Sequence, residues 1–430
     1  MTAVRGFKDI LPQEIPYYAL VEDAMREMAR RYGYEEIRPP VLERTGLFRR
    51  GIGEATDIVE KEMYSFQDPG GESLTLRPEA TAGIARAVME HGLLEGALAG
   101  GRALRLFAMG PMFRHERPQK GRLRQFNQLD VEAFGDKGPY IDAEVMALLM
   151  DILGRLGIGG LEARVNSLGC EVCRPPYRER LVGYLSSRRE ELCEDCRRRL
   201  GTNPLRVLDC KRPGCREVAR SAPTSLDGLC PECLAHFDGV KGSLSALGIP
   251  FSVDPLLVRG LDYYKRTAFE VLSGGLGAQS AVAGGGRYDG LTALLGGPDA
   301  PAIGFAVGVE RLVMLLKGMG GRKAPAVAFY LAPLTEQALP RSAGVARALR
   351  ASGHSVAYDG EALRLKTHLK RADKLGAAMV LMVGEDELAG GYATLRDLRT
   401  HAQERVPLAE LEAGKAPAVA TGGITEGPLA

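Results

Sequence analysis

The stretch that decides the fold is GPMFRHERPQKGRLRQFNQLDVE, residues 110–132. Apolar residues on both sides of its middle predict two strands, at residues 104–113 and 123–134. The polar segment between them contains Pro118 and Gly121. Because such breakers argue against an amphipathic helix, the pattern predicts a long β-hairpin with a basic loop.

The loop and the second strand carry side chains suited to a charged ligand. Five basic residues stand within eleven positions, against one acid: Arg114, Arg117, Lys120, Arg122 and Arg124. Arginine offers forked donors that match phosphate oxygens. Gln128, Asp130 and Glu132 have even spacing and therefore share one strand face. Such a face beside arginines can hold a zwitterion next to phosphates, although a solvated charged hairpin is the usual explanation of such a run.

Hydrophobic periodicity predicts the elements around the hairpin. Residues 16–33 have helical spacing, and a helical pattern returns at residues 142–156. Residues 258–312 contain short strands and glycine turns and enter a helix near Glu310. Residues 326–408 alternate apolar runs with helical stretches, which predicts a small α/β domain.

Length and composition limit the class of protein. The chain has 430 residues, 45% hydrophobic and 26% charged, which is typical of a globular protein with two to four domains. A formal charge of +2 neither requires nor excludes a nucleic-acid partner. No apolar run approaches the roughly 20 residues that span a bilayer, and the first residues lack the apolar core of a signal peptide. We therefore expect a cytoplasmic protein with no membrane contact.

The cysteines are confined to one segment. All eight lie between Cys170 and Cys233, in four close pairs, which argues against a disulfide scaffold and predicts tetrahedral zinc binding. One pairing gives one ion Cys193, Cys196, Cys210 and Cys215, and a second ion Cys170, Cys173, Cys230 and Cys233. The alternative is a set of free thiols, and the pairing itself stays open.

Residues 110–132 resemble motif 2 of class II aminoacyl-tRNA synthetases, in the form of the histidyl-tRNA synthetase family. Four more peptides resemble that family in the same order: TLRPEAT at 75–81, LVRGLDYY at 257–264, AGGGRYDG at 283–290 and GFAVGVERL at 304–312. The resemblance covers about residues 4–410. Three residues depart from the usual family pattern: Ala80, Leu123 and Asn127.

The resemblance implies a role for each matching residue. The catalytic residues would be Arg114 and Arg259, which hold the reacting phosphate. Histidine would be bound by Glu79, Ala80, Thr81, Arg114, Gln128, Glu132, Arg259, Tyr263, Tyr264 and Tyr288. ATP, with Mg²⁺, would be bound by Arg114, Arg122 and Arg311, and the tRNA acceptor end by Arg117 and Gln119.

The resemblance also implies an architecture. It is an α+β catalytic domain with an antiparallel sheet, an inserted helical Cys-rich subdomain and a C-terminal α/β anticodon-binding domain. The predicted boundaries are 1–165 and 251–318 for the catalytic core, 166–250 for the insertion, 319–325 for a linker, 326–412 for the anticodon-binding domain and 413–430 for a flexible tail.

The implied function is ATP-dependent attachment of histidine to tRNA(His) through a histidyl-adenylate, by a homodimer with structural Zn²⁺ in the insertion. Three alternatives remain. The first is a non-catalytic, synthetase-like regulatory subunit of histidine biosynthesis. The second is a zinc-dependent nucleic-acid-binding protein, and the third is a synthetase for another amino acid.

Overall fold

The computed structural model describes residues 1–54, 56–117, 121–274, 281–319 and 327–417. Gln119, most of the predicted linker and the tail from residue 418 lie outside the described residues. The chain divides into two compact units, Met1–Gly321 and Arg322–Ala430, and each is described by itself. The described helices include none that combines the length and the apolar character needed to cross a membrane.

The first unit contains eleven strands in its described part. They are β1 (Glu35–Glu36), β2 (Leu42–Arg44), β3 (Tyr64–Gln67), β4 (Ser73–Leu76), β5 (Leu104–Phe113), β6 (Gln125–Phe134), β7 (Leu161–Ser167), β8 (Phe251–Val253), β9 (Thr267–Ser273), β10 (Ala281–Arg287) and β11 (Ala302–Gly308). The predicted hairpin is confirmed: β5 and β6 pair antiparallel from Leu104↔Phe134 to Phe113↔Gln125.

The described helices of this unit surround the strands. They are α1 (Ile15–Arg31), α2 (Thr45–Ile52), α3 (Thr81–Glu90), α4 (Leu93–Ala99), α5 (Pro139–Arg155), α6 (Arg174–Ser187), α7 (Glu194–Thr202), α8 (Leu205–Leu208), α9 (Pro213–Arg220), α10 (Pro231–Ala246), α11 (Leu291–Leu294) and α12 (Val309–Gly318). A π-helical turn at Ile58–Glu62 and short 3₁₀ turns at Arg189–Glu191 and Leu226–Gly228 complete the set.

An eight-stranded sheet is the centre of the first unit, with the order β1-β5-β6-β11-β10-β9-β7-β8. The six central strands pair antiparallel, and parallel pairs occur only at its two edges, β1 with β5 and β7 with β8. A separate three-stranded sheet has the order β2-β4-β3. The predicted fold class, an α+β domain with an antiparallel sheet, is therefore confirmed.

Strand alternation separates the core from the site. On β6, Leu129 and Val131 point into the apolar cluster formed with α1, α5, α10 and α12. Because successive side chains of a strand face opposite ways, Gln128, Asp130 and Glu132 lie on the other face. Each fully buried aliphatic side chain on the helical face contributes about 1.5–3 kcal/mol to stability. This packing fixes the register that presents the polar face.

The Cys-rich segment is helical, as predicted. Between β7 and β8 it contains α6 to α10 with only short connections. Leu181, Leu185 and Val218 of its helices are buried in an apolar cluster that also contains Ile84 and Tyr264 from outside the insertion.

The second unit is an α/β domain built on a five-stranded sheet. Its strands are β12 (Val327–Pro333), β13 (Val356–Tyr358), β14 (Ala377–Val383), β15 (Tyr392–Asp397) and β16 (Gln403–Pro407), in the order β13-β12-β14-β15-β16. Its helices are α13 (Leu339–Ala351), α14 (Leu365–Lys374), α15 (Glu385–Gly390) and α16 (Leu408–Glu412), with a 3₁₀ turn at Glu336–Ala338. The alternation predicted for residues 326–408 is confirmed.

A buried ion pair joins four elements of the first unit. Arg287, at the end of β10, is fully buried, and its Nη2 lies 2.7 Å from Oδ1 of Asp142 in α5. Asp142 also accepts a hydrogen bond from Thr267 of β9 at 2.5 Å and lies 2.9 Å from Nε2 of His236 in α10. The pair is well coordinated, because Arg287 also donates to the Asp136 and Gly138 carbonyls.

We predict that Asp142→Ala lowers the free energy of unfolding by about 3–5 kcal/mol, because it removes the fully buried counter-charge of Arg287 and leaves only the partly exposed Asp289, at 3.2 Å. Urea unfolding followed by far-UV circular dichroism measures the change. Asp238→Ala is the matched control, since Asp238 forms an exposed helical ion pair with Lys241, and such pairs contribute about 0–1 kcal/mol. Equal losses in the two variants would contradict the prediction.

Candidate active site

The carboxylate of Glu132 occupies the centre of the polar sheet face. It accepts a hydrogen bond from Oγ1 of Thr81 at 2.6 Å and another from the hydroxyl of Tyr288. Glu132 is 1% exposed. Its cross-strand neighbour on β11 is Gly304, where a Cβ would overlap the carboxylate. Glycine at position 304 therefore makes room for the acid.

A second buried acid, Glu79, caps the N-terminus of α3. Its two oxygens accept backbone N–H groups from Thr81 at 3.1 Å and Ala82 at 2.9 Å, and the hydroxyl of Tyr263 lies 3.5 Å away. Helix N-termini favour carboxylates because their first N–H groups have no helical acceptor. The methyl of Ala80, between Glu79 and Thr81, is buried in an apolar cluster with Ile84 and Leu106.

Three tyrosines enclose the space next to these acids. The rings of Tyr263 and Tyr264 are 4.7 Å apart between centroids, and those of Tyr263 and Tyr288 are 5.6 Å apart. All three side chains are buried. Seven of the ten residues predicted to bind histidine thus lie together in one pocket with acidic and aromatic walls, namely Glu79, Ala80, Thr81, Glu132, Tyr263, Tyr264 and Tyr288.

Two further polar groups of this face lack partners. Neither carboxylate oxygen of Asp130 has a hydrogen-bond partner among the described residues, and the same holds for Oε1 of Gln128. Buried polar atoms are normally paired. Unpaired acceptors beside Glu132 therefore mark a place where a ligand can donate.

Burial raises the pKa of all three acids. It raises the pKa of Asp130 to about 8, with a further rise from the charge of Glu79 and opposition from Arg77 and Arg114. Burial also raises the pKa of Glu79 and that of Glu132, although their hydrogen bonds oppose the shift. A cationic ligand favours the ionised form of neighbouring carboxyl groups. The pocket is therefore suited to an ammonium or imidazolium group.

The predicted arginines lie at the border of this pocket. Nε of Arg114 donates to the carbonyl of Pro78 at 2.7 Å, and its guanidinium lies over the ring of Phe126. Nη1 of Arg259 donates to Glu270 at 2.6 Å, and its guanidinium lies over the ring of Tyr264. Arg259 approaches β10 so closely that a Cβ at Gly284 would overlap it.

Arg311 and Arg122 lie close enough that the charge of Arg122 affects the pKa of Arg311. Burial lowers the pKa of Arg311, the charge of Arg122 lowers it further, and Glu116 and Glu270 raise it. Arg122 forms an ion pair with Glu116 at 3.2 Å. Because Glu270 also holds Arg259, the predicted ATP-binding residues and Arg259 lie in one region. Arg117 is exposed, and Gln119 lies outside the described residues.

Several supporting residues were not predicted. Arg77 is buried and donates to the carbonyls of Pro39 and Pro111, so it fixes the peptide that carries Glu79. Glu310 accepts both the backbone N–H and the side-chain amide of Asn127, which ties β6 to α12. Glu270 is the partner of Arg259. Arg77 and Glu310 lie inside recognised peptides, which assign neither of them a role, whereas Glu270 lies outside all five peptides.

The eight cysteines form two groups. The first cysteine group is Cys170, Cys173, Cys230 and Cys233, and the second cysteine group is Cys193, Cys196, Cys210 and Cys215. In each group the four sulfur atoms lie within 4.8 Å of one another, and measured pairs are 3.7–3.9 Å apart. A tetrahedron with Zn–S bonds of about 2.3 Å has edges of about 3.8 Å.

The environment shifts the pKa values of the thiols in both directions. Burial raises the pKa of Cys196, Cys215 and Cys233, and a hydrogen bond with Glu232 raises that of Cys230. Burial raises the pKa of Cys170 and Cys193, but hydrogen bonds from neighbouring backbone N–H groups and thiols outweigh it, and both pKa values fall to about 7. The geometry and the donor set therefore fit a divalent zinc ion in each group.

We predict that Asp130→Asn stabilises the protein relative to the parent chain, and increasingly so as pH rises from about 4 to 8. The folded pKa of Asp130 lies above its unfolded value, so the folded state binds more protons and ionisation weakens folding across this window. The slope is at most about 1.4 kcal/mol per pH unit. Urea unfolding at several pH values measures it, with Asp238→Asn as an exposed control; a pH-independent difference would contradict the assignment.

An antiparallel sheet whose one face carries a buried acidic pocket bordered by arginines defines a class II aminoacyl-tRNA synthetase. A family model described as Histidyl-tRNA synthetase matches residues 6–170 and 202–312, and one described as Anticodon binding domain matches residues 328–414. The chain belongs to the histidyl-tRNA synthetase family.

Individual relatives agree along nearly the whole chain. The Histidine--tRNA ligase of Desulfosudis oleivorans is 50% identical, with 95% of this chain and 96% of the relative covered. That of Trichlorobacter lovleyi is 48% identical, with 98% and 99% covered. The apo histidyl-tRNA synthetase of S. aureus has a similar crystal structure, with a TM-score of 0.79, 34% identity, and 97% of this chain and 100% of that chain covered.

Proposed function

We propose that the chain attaches histidine to its tRNA in an ATP-dependent reaction with a histidyl-adenylate intermediate. The observation that carries the proposal is the pocket in which Glu79, Glu132 and three tyrosines meet next to Arg114 and Arg259. The family membership supports the same activity. ATP enters as its magnesium complex, which is the substrate form expected for this class of enzyme.

Histidine binds with its α-ammonium near Glu79 and Thr81, where Ala80 lines the turn. Its imidazole lies among Gln128, Glu132, Tyr263, Tyr264 and Tyr288. A carboxylate can accept an imidazole N–H, whereas an apolar wall could not distinguish it from other rings. The unpaired acceptor of Gln128 and the raised pKa of Glu132 support this placement, because histidine supplies both donors and positive charge.

The arginines neutralise the charge that develops during adenylate formation. Arg114 and Arg259 hold the carboxylate of histidine and the α-phosphate, and Arg122 and Arg311 bind the rest of ATP. The attacking carboxylate is already ionised, so no protein side chain needs to act as a general base. Catalysis then consists of positioning and electrostatic stabilisation of the transition state.

The tRNA contacts both units of the chain. Arg117 and Gln119 reach the acceptor end, while the second unit binds the anticodon. Its helix α14 carries basic residues that would attract the RNA backbone. The match of residues 328–414 to an anticodon-binding domain favours this reading over a regulatory subunit that charges no tRNA.

We also propose the assembly and the metal content. The chain works in the cytoplasm as a homodimer, with α1 and the strand that follows it, which resemble motif 1, at the interface. Each cysteine group holds one structural zinc ion, so that the insertion has two. The predicted domain boundaries, including the insertion at residues 166–250 and the linker at 319–325, are part of the same proposal.

We predict that, among the twenty amino acids, histidine alone stimulates ATP–pyrophosphate exchange, and that Arg259→Ala lowers kcat/KM by about 10²–10³ or more, the effect of removing one preorganised donor. Arg220→Ala is the matched control, because Arg220 is an exposed arginine on α9. Exchange driven by a different amino acid, or full activity of Arg259→Ala, would overturn the assignment.

We predict that Glu132→Gln raises the KM for histidine by about 10–100-fold with a smaller change in the KM for ATP, since the amide cannot balance a cationic ligand and its N–H₂ competes for acceptors. Steady-state exchange kinetics with each substrate varied in turn separates the two constants. The exposed acid Glu217 on α9 provides the control variant Glu217→Gln, for which the KM for histidine should not change.

A further inference from the structure

The two cysteine groups adjoin opposite sides of one irregular peptide. Residues 254–266 contain no helix or strand, yet they carry Arg259, Tyr263 and Tyr264. The position of these three side chains therefore depends on what packs around the peptide. The insertion contacts the peptide through Asn166, which donates to the carbonyls of Pro255 and Leu257, and through the chain segments beside the two cysteine groups.

The first cysteine group adjoins the C-terminal side of the peptide. Leu168 and Gly169, just before Cys170, exchange backbone hydrogen bonds with Arg266 at 2.7 and 2.9 Å. Glu171, between Cys170 and Cys173, forms an ion pair with Lys265. Arg174, directly after Cys173, donates to the carbonyl of Tyr264 at 3.1 Å. The segment from Leu168 to Arg174 thus contacts Tyr264 and the two residues that follow it, Lys265 and Arg266.

The second cysteine group adjoins the other side. Cys196 lies in α7 and Cys210 follows α8, and the segment between them carries Asn203 and Arg206. Nδ2 of Asn203 donates to Oδ1 of Asp262 at 2.5 Å. Arg206 lies against Gly260, where an added Cβ would be 3.4 Å from its Nη1.

Short helices cannot hold this second segment by themselves. Helix α7 has 9 residues and α8 has 4, below the roughly 12–15 residues at which an isolated helix becomes marginally stable. The same segment pairs Arg199 and Arg206 with Asp57, at 2.7 and 3.5 Å. A link between Cys196 and Cys210 closes the segment and fixes these contacts together.

We infer that metal ions in the two cysteine groups position the Arg259–Tyr264 peptide, so that metal occupancy determines how well the chain binds histidine and forms the adenylate. Asn203 is the positioning residue of the second group. The inference rests on the proposed function, and it assigns the insertion a role in amino-acid activation in addition to its own folding. The family model leaves residues 171–201 unmatched, and three of the eight cysteines lie there.

The metal content is tested first, on the full chain purified under reducing conditions. Native mass spectrometry should find two zinc ions per chain, and one in Cys196→Ser and in Cys233→Ser. A reduced chain without bound metal overturns the inference.

The coupling to histidine is tested by Asn203→Ala, which keeps all eight thiols. We expect two bound zinc ions, a KM and a calorimetric Kd for histidine raised roughly tenfold or more, and a KM for ATP that changes much less. Thr202→Ala, an exposed neighbour, is the matched control and should bind histidine like the parent chain. Unchanged histidine binding in Asn203→Ala overturns the inference.

Metal removal gives an independent measurement. Chelator-treated chain that retains its far-UV circular dichroism should bind histidine roughly tenfold or more weakly, and added ZnCl₂ should restore binding. Equal binding by loaded and stripped chain overturns the inference alone. Absence of histidine-dependent exchange in the zinc-loaded parent chain, by contrast, would overturn the proposed function.

Discussion

The site depends on burying three carboxyl groups, those of Glu79, Asp130 and Glu132, in one pocket on the sheet. Desolvation and mutual repulsion both oppose their ionisation. The fold offsets this with donors that are themselves fixed: the α3 N-terminus for Glu79, and Thr81 and Tyr288 for Glu132. Asp130 receives no such partner among the described residues. A ligand with positive charge and N–H donors would therefore reduce the repulsion among the three acids and pair with their free acceptors.

The guanidinium groups that border the acidic pocket are oriented by single hydrogen bonds to the protein. Each of three guanidinium groups donates one hydrogen bond to the protein. Arg114 and Arg311 donate to backbone carbonyls, and Arg259 donates to the carboxylate of Glu270. One fixed contact orients the planar fork and leaves its remaining donors available to phosphate or carboxylate oxygens. Preorganised donors of this kind need little rearrangement when charge develops in a transition state. The arginines therefore offer donors of fixed orientation as well as positive charge.

Much of this arrangement could be predicted from sequence, and the remainder shows where such reasoning ends. The β5–β6 hairpin and α1 follow from periodicity, and Glu132 and Thr81 follow from family peptides. The contacts of Arg287 with Asp142, and of Asn127 with Glu310, join residues more than one hundred positions apart. No local pattern reports such pairs, because burial and charge compensation arise only after the sheet is assembled. The resemblance located Ala80 in the turn, but only the fold shows that its methyl packs in an apolar cluster.

The conformation of the peptide 254–266 depends on residues of the insertion that line no part of the pocket. Arg266 adopts a φ of 50°, a left-handed conformation that is unfavourable for residues other than glycine. Its backbone nevertheless exchanges two hydrogen bonds with Leu168 and Gly169, directly before the first cysteine group. A strained conformation persists only where surrounding contacts determine it, so the chain beside Tyr264 is set by its neighbours and not by its own preference. The insertion therefore takes part in setting the position of Tyr264, through its contacts with Tyr264 and Arg266.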